Sequence, residues 1–241
     1  MHAPNVITST PLPLVQRVGS NGLRLSVLKL APKNKAFATL VMHRRLRDSA
    51  HALLQVATVL SRHSHVPIPE LRGHGQSNVI DAYGVFDFVL DLREAITALA
   101  GERRVPWRHS LGGHIVSKYA TNFPNRVEVV AIIEGLGPPH RANQRDKGAK
   151  MYELQLIILK RPRLQLQRSR PIQNEAETAE RLLRKNRRPD PAQAKDLVPH
   201  LLEPTVNGLG WALNSRASSV FVGASRDNDT KFWRNIHTPC C

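Results

Sequence analysis

Trp107-Arg108-His109-Ser110-Leu111-Gly112-Gly113 decides how the rest of this 241-residue chain is read. A short strand-like run, Arg104 to Trp107, enters it, and an amphipathic segment, Ile115 to Phe123, leaves it. The layout is strand, sharp turn, helix, with Ser110 at the apex, a variant of the pattern G-x-S-x-G. Such a turn needs small neighbours, because the apical backbone is strained and adjacent chains come close. Gly112 and Gly113 meet that need on the helix side. On the strand side, Arg108 stands where a glycine is expected.

Two further motifs flank this one: Leu71-Arg72-Gly73-His74-Gly75-Gln76-Ser77 upstream and Ile133-Glu134-Gly135-Leu136-Gly137-Pro138-Pro139 downstream. In this order and spacing they resemble the α/β-hydrolase superfamily, in its serine-hydrolase-like, esterase-type branch. The resemblance runs from about Leu40 to the C-terminus. It implies an α/β fold with a doubly wound, mainly parallel sheet and a helical cap. The implied division is a core over residues 1–139, a cap over 140–236 and the start of a further core strand at 237–241. Because the family places its histidine after two further strands, the resemblance also implies a C-terminally truncated core.

Bulk properties bound the rest. The length suffices for one domain with an inserted subdomain. Lys and Arg outnumber Asp and Glu 35 to 19, a net charge of +16. A surface so basic attracts polyanions, yet no specific nucleic-acid motif accompanies the charge. The two cysteines, Cys240 and Cys241, are adjacent and cannot staple distant parts of a fold. A reducing, cytoplasmic location is expected, with no secretory signal and no membrane span. No metal site and no cofactor are expected, since neither a ligand cluster nor a glycine-rich phosphate loop occurs.

Along the chain, Leu14–Val18 and Leu23–Leu30 read as antiparallel strands around Gly19-Ser20-Asn21-Gly22, and Phe37–Met42 as a buried strand. Asp48 is placed to cap a helix ending at Leu60, with Leu53, Val56, Ala57 and Leu60 on its buried face. His65–Pro69 is the next strand. Phe88, Val89, Leu92, Ala95, Ile96 and Leu99 recur at helical spacing. Pro106 is an odd guest in a central strand, where it deletes a ladder N–H. Val127–Ile133 reads as a buried strand. Asn174 with Glu177, and Asp190 with Pro191 and Gln193, start helices over 175–187 and 191–202.

Acyl transfer to serine needs a nucleophile, a base, a group orienting the base, and oxyanion donors. The resemblance puts Ser110 in the first role and Glu134 in the third, the latter competing with a plain turn glutamate. The backbone N–H groups of Leu111 and Arg45 would be the oxyanion donors. Arg44, beside His43, replaces the glycine usual in that loop. His43, His74 and His109 belong to the motifs, together with Arg72, Gly73, Gly75, Gly112 and Gly113. No histidine stands where the family has its base, so impaired turnover is expected. Loss of that base typically costs on the order of a million-fold. The substrate class implied is a small ester-like molecule. Two other readings fit the same residues: a non-catalytic pseudo-hydrolase that binds a ligand or partner, and a basic nucleic-acid-associated protein. A shifted or prematurely stopped reading frame fits them as well. The sequence carries no sign of oligomeric state.

Overall fold

The structure is a computed structural model. It describes residues 14–20, 22–30, 38–41, 49–80, 82–99, 104–109, 111–133, 172–185, 190–206, 208–214, 217, 220, 226–237 and 239. The candidates His43, Arg44, Arg45, Ser110 and Glu134 lie outside these residues, as does Asp48.

The chain opens with the hairpin β1 (Leu14–Ser20) and β2 (Leu23–Leu30), whose ladder closes at Ser20 opposite Leu23. The turn is tighter than the four residues read from sequence, and Gly22 supports it with a φ of 79°. β2 pairs antiparallel with β4 (Val66–Pro69), from Val27 opposite Pro69 to Leu30 opposite Val66. β5 (Arg104–His109) runs parallel to β3 (Ala38–Val41) on one side and to β6 (Ala131–Ile133) on the other. β3 also lies against β4. Across both sheets the strands therefore follow the order β1-β2-β4-β3-β5-β6.

Pro106 does sit in the middle strand. It stands opposite Leu40 of β3, and the ladder to β6 begins only at Trp107, one residue later. β6 is shorter and more open than Val127–Ile133 suggested, with Ile133 47% exposed. It is the outermost strand of the described sheet, and just before it the Val130 N–H donates to the Pro239 carbonyl at 2.9 Å.

Two helices cover this sheet. α2 (Val85–Leu99) buries Phe88, Val89, Leu92, Ala95, Ile96 and Leu99, the residues its periodicity singled out. Each large apolar side chain among them contributes roughly 1.5–3 kcal/mol by leaving water. α3 (Leu111–Asn122) differs from its reading: Leu111 to Ala120 are all buried, so it is an enclosed helix and not an amphipathic one. Enclosure takes His114, Ser117 and Lys118 out of water with it.

The helix before β4 also departs from expectation. A 3-10 turn at Ala50–Leu53 precedes α1 (Leu54–Leu60), and the cap is Ser49, whose side chain accepts from the His51 N–H. The buried arc runs through Leu53, Ala57, Thr58 and Ser61, which leaves Val56 42% exposed. Thr58 tolerates burial because its hydroxyl donates to the Leu54 carbonyl at 2.7 Å, a compensation invisible to a hydrophobic pattern.

Beyond residue 171, α4 (Glu175–Lys185) begins as read, with the Asn174 side chain accepting from the Glu177 N–H at 2.9 Å. α5 (Pro191–Leu197) carries a full capping box between Asp190 and Gln193. It ends before the expected 202, because Pro199 lacks an N–H and a 3-10 turn at Val198–His200 takes over. A hairpin unforeseen in the sequence follows, β7 (Leu202–Thr205) with β8 (Gly208–Trp211). α6 (Arg226–Arg234) packs against α3. No helix among the described residues is long and apolar enough to cross a membrane.

Candidate active site

β5 ends at His109 and α3 begins at Leu111, so one residue, Ser110, joins the middle parallel strand to the enclosed helix. Its neighbours β3 and β6 run in the same direction and end at Val41 and Ile133. The carboxyl ends of all three strands therefore lie along one edge of the sheet. That is the edge where open α/β sheets carry their chemistry. Leu111, Gly112 and Gly113 form the first turn of α3 and are buried.

The second motif follows β4 and is described in full. Arg72 is 3% exposed and engages Asp91 through two bonds, Nε to Oδ2 at 2.6 Å and Nη2 to Oδ1 at 2.9 Å. It also donates to the carbonyls of Ala82 and Asp87 at 3.0 and 3.2 Å. Burial pulls the guanidinium down, but the bond to Asp91 and the charges of Asp91 and Asp87 outweigh it and leave it above its ordinary value. Arg72 is thus a structural cation and not a hand held out to substrate. Ser20 closes the network by donating to Asp91 at 2.5 Å.

Both glycines of this motif are required. Gly73 has a φ of 69°, and a Cβ there would lie 2.5 Å from the Tyr83 hydroxyl. Gly75 has a φ of 48°, and a Cβ would lie 2.1 Å from a Glu70 carboxylate oxygen. Glu70 is itself the keystone of the loop. It accepts from the Ser49 hydroxyl at 3.0 Å, the Ala50 N–H at 3.3 Å and the Gln76 N–H at 2.8 Å. Burial raises its pKa against the opposing pull of those donors.

His74 is 1% exposed, with Nδ1 3.0 Å from the Arg72 carbonyl. Burial, partly offset by that carbonyl, lowers its pKa to about 4 and keeps it neutral. The segment after β8 clamps the same loop: the Gly75 N–H donates to Ala212 and the Asn214 N–H to Gly73, each at 2.8 Å. The motif is therefore held by hydrogen bonds from several sides.

Sequence reasoning missed a buried charge cluster one turn further along α3. Lys118 Nζ is bonded to Asp229 of α6 and lies 3.3 Å from His114 Nδ1. His114 Nδ1 is 3.7 Å from Asp229 Oδ2. Burial, then the Lys118 cation, lowers the His114 pKa to about 4. Burial also lowers that of Lys118, against Asp229. His51 is engaged as well, its ring stacked on His200 at 3.4 Å between centroids. Asp91 left a trace in the sequence, an acid on the apolar face of α2. Lys118 and Asp229 left none, since they lie 111 positions apart. Among the described residues no cluster of side chains suits a metal ion.

No family model matches the chain, and no curated sequence does. Solved structures do match it in shape. A thioesterase domain from the curacin biosynthetic pathway superposes with a TM-score of 0.78 at 16% identity, over 95% of this chain and 81% of that one. A hypothetical protein from Pseudomonas aeruginosa gives 0.76 at 22%, over 94% and 79%. An α/β hydrolase from Novosphingobium aromaticivorans gives 0.69 at 18%, over 95% and 79%. The fold is that of the α/β hydrolases. On this α/β-hydrolase fold the Arg72–Gly75 loop and the β5–α3 junction are the two described parts of the candidate site.

Proposed function

We propose that this chain is an α/β-hydrolase-type serine hydrolase acting on a small ester-like carbonyl substrate. The supporting observation is the junction itself: one residue, Ser110, between the middle parallel strand and a buried helix. In this reading Ser110 Oγ attacks the carbonyl carbon while a base takes its proton. The resulting oxyanion accepts from the N–H groups of Leu111 and Arg45. Collapse expels the alcohol, which takes back the proton, and water then cleaves the acyl-serine to acid and free enzyme. Glu134 would orient the base. Residues 140–236 would cover the pocket as a cap and shape the choice of acyl group. A panel of nitrophenyl esters of increasing chain length, run with Ser110→Ala beside it, tests the reading. Hydrolysis that disappears in the variant supports it, and hydrolysis equal in both removes it.

A second reading is favoured by the described histidines. His74 and His114 are buried and held neutral, and His51 and His200 stack on each other. None of these four is poised as a base. Together with Arg44 and Arg108 at positions where the family has glycine, this favours a non-catalytic relative that keeps the pocket for binding. Ligand affinity that survives Ser110→Ala, without ester turnover, is its signature.

A further inference from the structure

A cleft of about 360 Å³ opens between the β1–β2 hairpin and the tail of the second motif, lined by Arg17, Arg24, Gln76, Ser77 and Asn78. We infer that this cleft is a binding site for a small phosphate-bearing molecule, with Arg24 and Arg17 as its two cationic arms. It is separate from the proposed chemistry at Ser110 and does not depend on it.

The ladder sets the arms. Gly19 stands opposite Arg24, and Arg17 lies two residues before Gly19, so both arginines project from one face of the hairpin as diagonal neighbours. Gly19 offers no side chain between them, and a Cβ built there meets nothing within 4 Å. Two guanidinium groups on one face repel each other unless an anion lies between them.

The lining then settles the polarity of the ligand. The acceptors on its walls are engaged internally. Arg17 donates to the Gln76 carbonyl and, at 3.5 Å, to Gln76 Oε1. Asn78 Oδ1 accepts from the Arg24 N–H at 3.0 Å, and the Arg24 carbonyl takes the Asn78 N–H at 3.0 Å. Ser77 Oγ accepts from the Ser26 N–H at 2.9 Å and donates to the Glu70 carbonyl at 3.0 Å. What remains for a ligand is a set of donors: the Arg24 guanidinium, the outer N–H groups of Arg17, and the side-chain amides of Gln76 and Asn78. Arg24 makes no ion pair among the described residues; the buried Glu70 carboxylate accepts from the Gln76 N–H and is close enough to Arg17 to feel its charge, so Arg24 is the arm left for a ligand. A guanidinium fork suits carboxylate and phosphate alike, but a phosphate carries more charge and enough oxygens to meet donors from both arms at once. The volume exceeds a lone phosphate and leaves space for a small organic group.

The test is calorimetric titration of the full chain with inorganic phosphate and with pyrophosphate in low-salt buffer. Arg24→Ala and Arg126→Ala are run alongside wild type. Arg126 is exposed on the far helical layer, bonded to Thr97 at 2.9 Å, so its removal lowers the net charge equally without touching the cleft. Among the described residues the Arg24 side chain has no bonded partner to lose, and the fold of that variant is checked by its unfolding midpoint. Saturable binding is expected in wild type and in Arg126→Ala, at least ten-fold weaker in Arg24→Ala. No saturable binding in wild type overturns the inference. So does equal weakening by both variants, which would assign the attraction to the general basic surface. Ester turnover is unaffected in either case, so this result and that at Ser110 are read independently.

Discussion

Asp229→Asn tests whether the buried cluster behind α3 is the clamp that the geometry describes. Lys118 and Asp229 are 3% and 1% exposed, and their contact joins the helix after Ser110 to α6. The Lys118 ammonium also lies 5.1 Å from the centre of the Phe232 ring, and Thr121 donates to the Phe232 carbonyl at 2.8 Å. Removing one partner of a buried ion pair leaves a desolvated charge and costs about 3–5 kcal/mol. That is a large part of the roughly 5–15 kcal/mol that holds an ordinary domain together. At a urea slope of ~2–3 kcal/mol/M the midpoint falls by roughly 1–2.5 M. The loss also has a pH signature. Without Asp229, burial drives Lys118 to its neutral form in the folded state, whereas the unfolded lysine keeps its proton up to about pH 10.4. The penalty is therefore larger at neutral pH than at alkaline pH, and shrinks as pH rises toward that value. Lys118→Met with Asp229→Leu removes both charges and restores most of the loss, since an apolar replacement of a buried pair is commonly neutral or better. Urea unfolding of the three variants at pH 7 and 9.5 decides it. An Asp229→Asn midpoint equal to wild type, at both pH values, would refute the reasoning.

Acid weakens the fold through the same interior. His74 and His114 are held neutral with pKa values of about 4 against an ordinary 6.5. A depressed folded pKa means stability present above pH 6.5 and lost as pH falls toward 4, on the order of 3 kcal/mol for each fully buried ring. Urea midpoints measured from pH 7 to 4.5 should drop steeply, and a flat profile would contradict the burial of both rings. Gly75→Ala forces a Cβ against Glu70 at a positive φ. A loss of ~2 kcal/mol or more is expected, lowering the thermal midpoint by roughly 4–8 °C for a chain of this size. Asp91→Asn strips Arg72 of its carboxylate and should cost about 3–5 kcal/mol by denaturant titration, whereas Arg93→Ala, half-exposed beside Glu94, should cost under ~1 kcal/mol.

Much of the architecture was legible because local pattern and tertiary role agree. The 3.6-residue period of α2, the side-chain cap at Asn174, the capping box at Asp190 and the strand and helix flanking Ser110 are signals confined to a few neighbouring residues. What escaped depends on partners far along the chain. Lys118 in a helix looks like a solvent-facing residue until Asp229 arrives from α6 to neutralise it. Glu70 looks like an ordinary acid at a strand end until its carboxylate is seen holding Ser49, Ala50 and Gln76 at once. The β7–β8 hairpin hid in Leu202-Glu203-Pro204-Thr205, where a proline and a glutamate mask a strand that is mostly exposed. The candidate site divides in the same way. The Arg72–Gly75 motif is legible as structure, while the roles proposed for Ser110, Arg45 and Glu134 rest on the resemblance.

The most direct test of the central claim is labelling with a fluorophosphonate, which reports an activated serine without a known substrate. Wild type and Ser110→Ala are compared as folded protein at neutral pH. Covalent labelling of wild type, absent from Ser110→Ala, is the predicted result and makes Ser110 the nucleophile. A folded wild type that stays unlabelled would contradict the account and leave the non-catalytic reading of the pocket in its place.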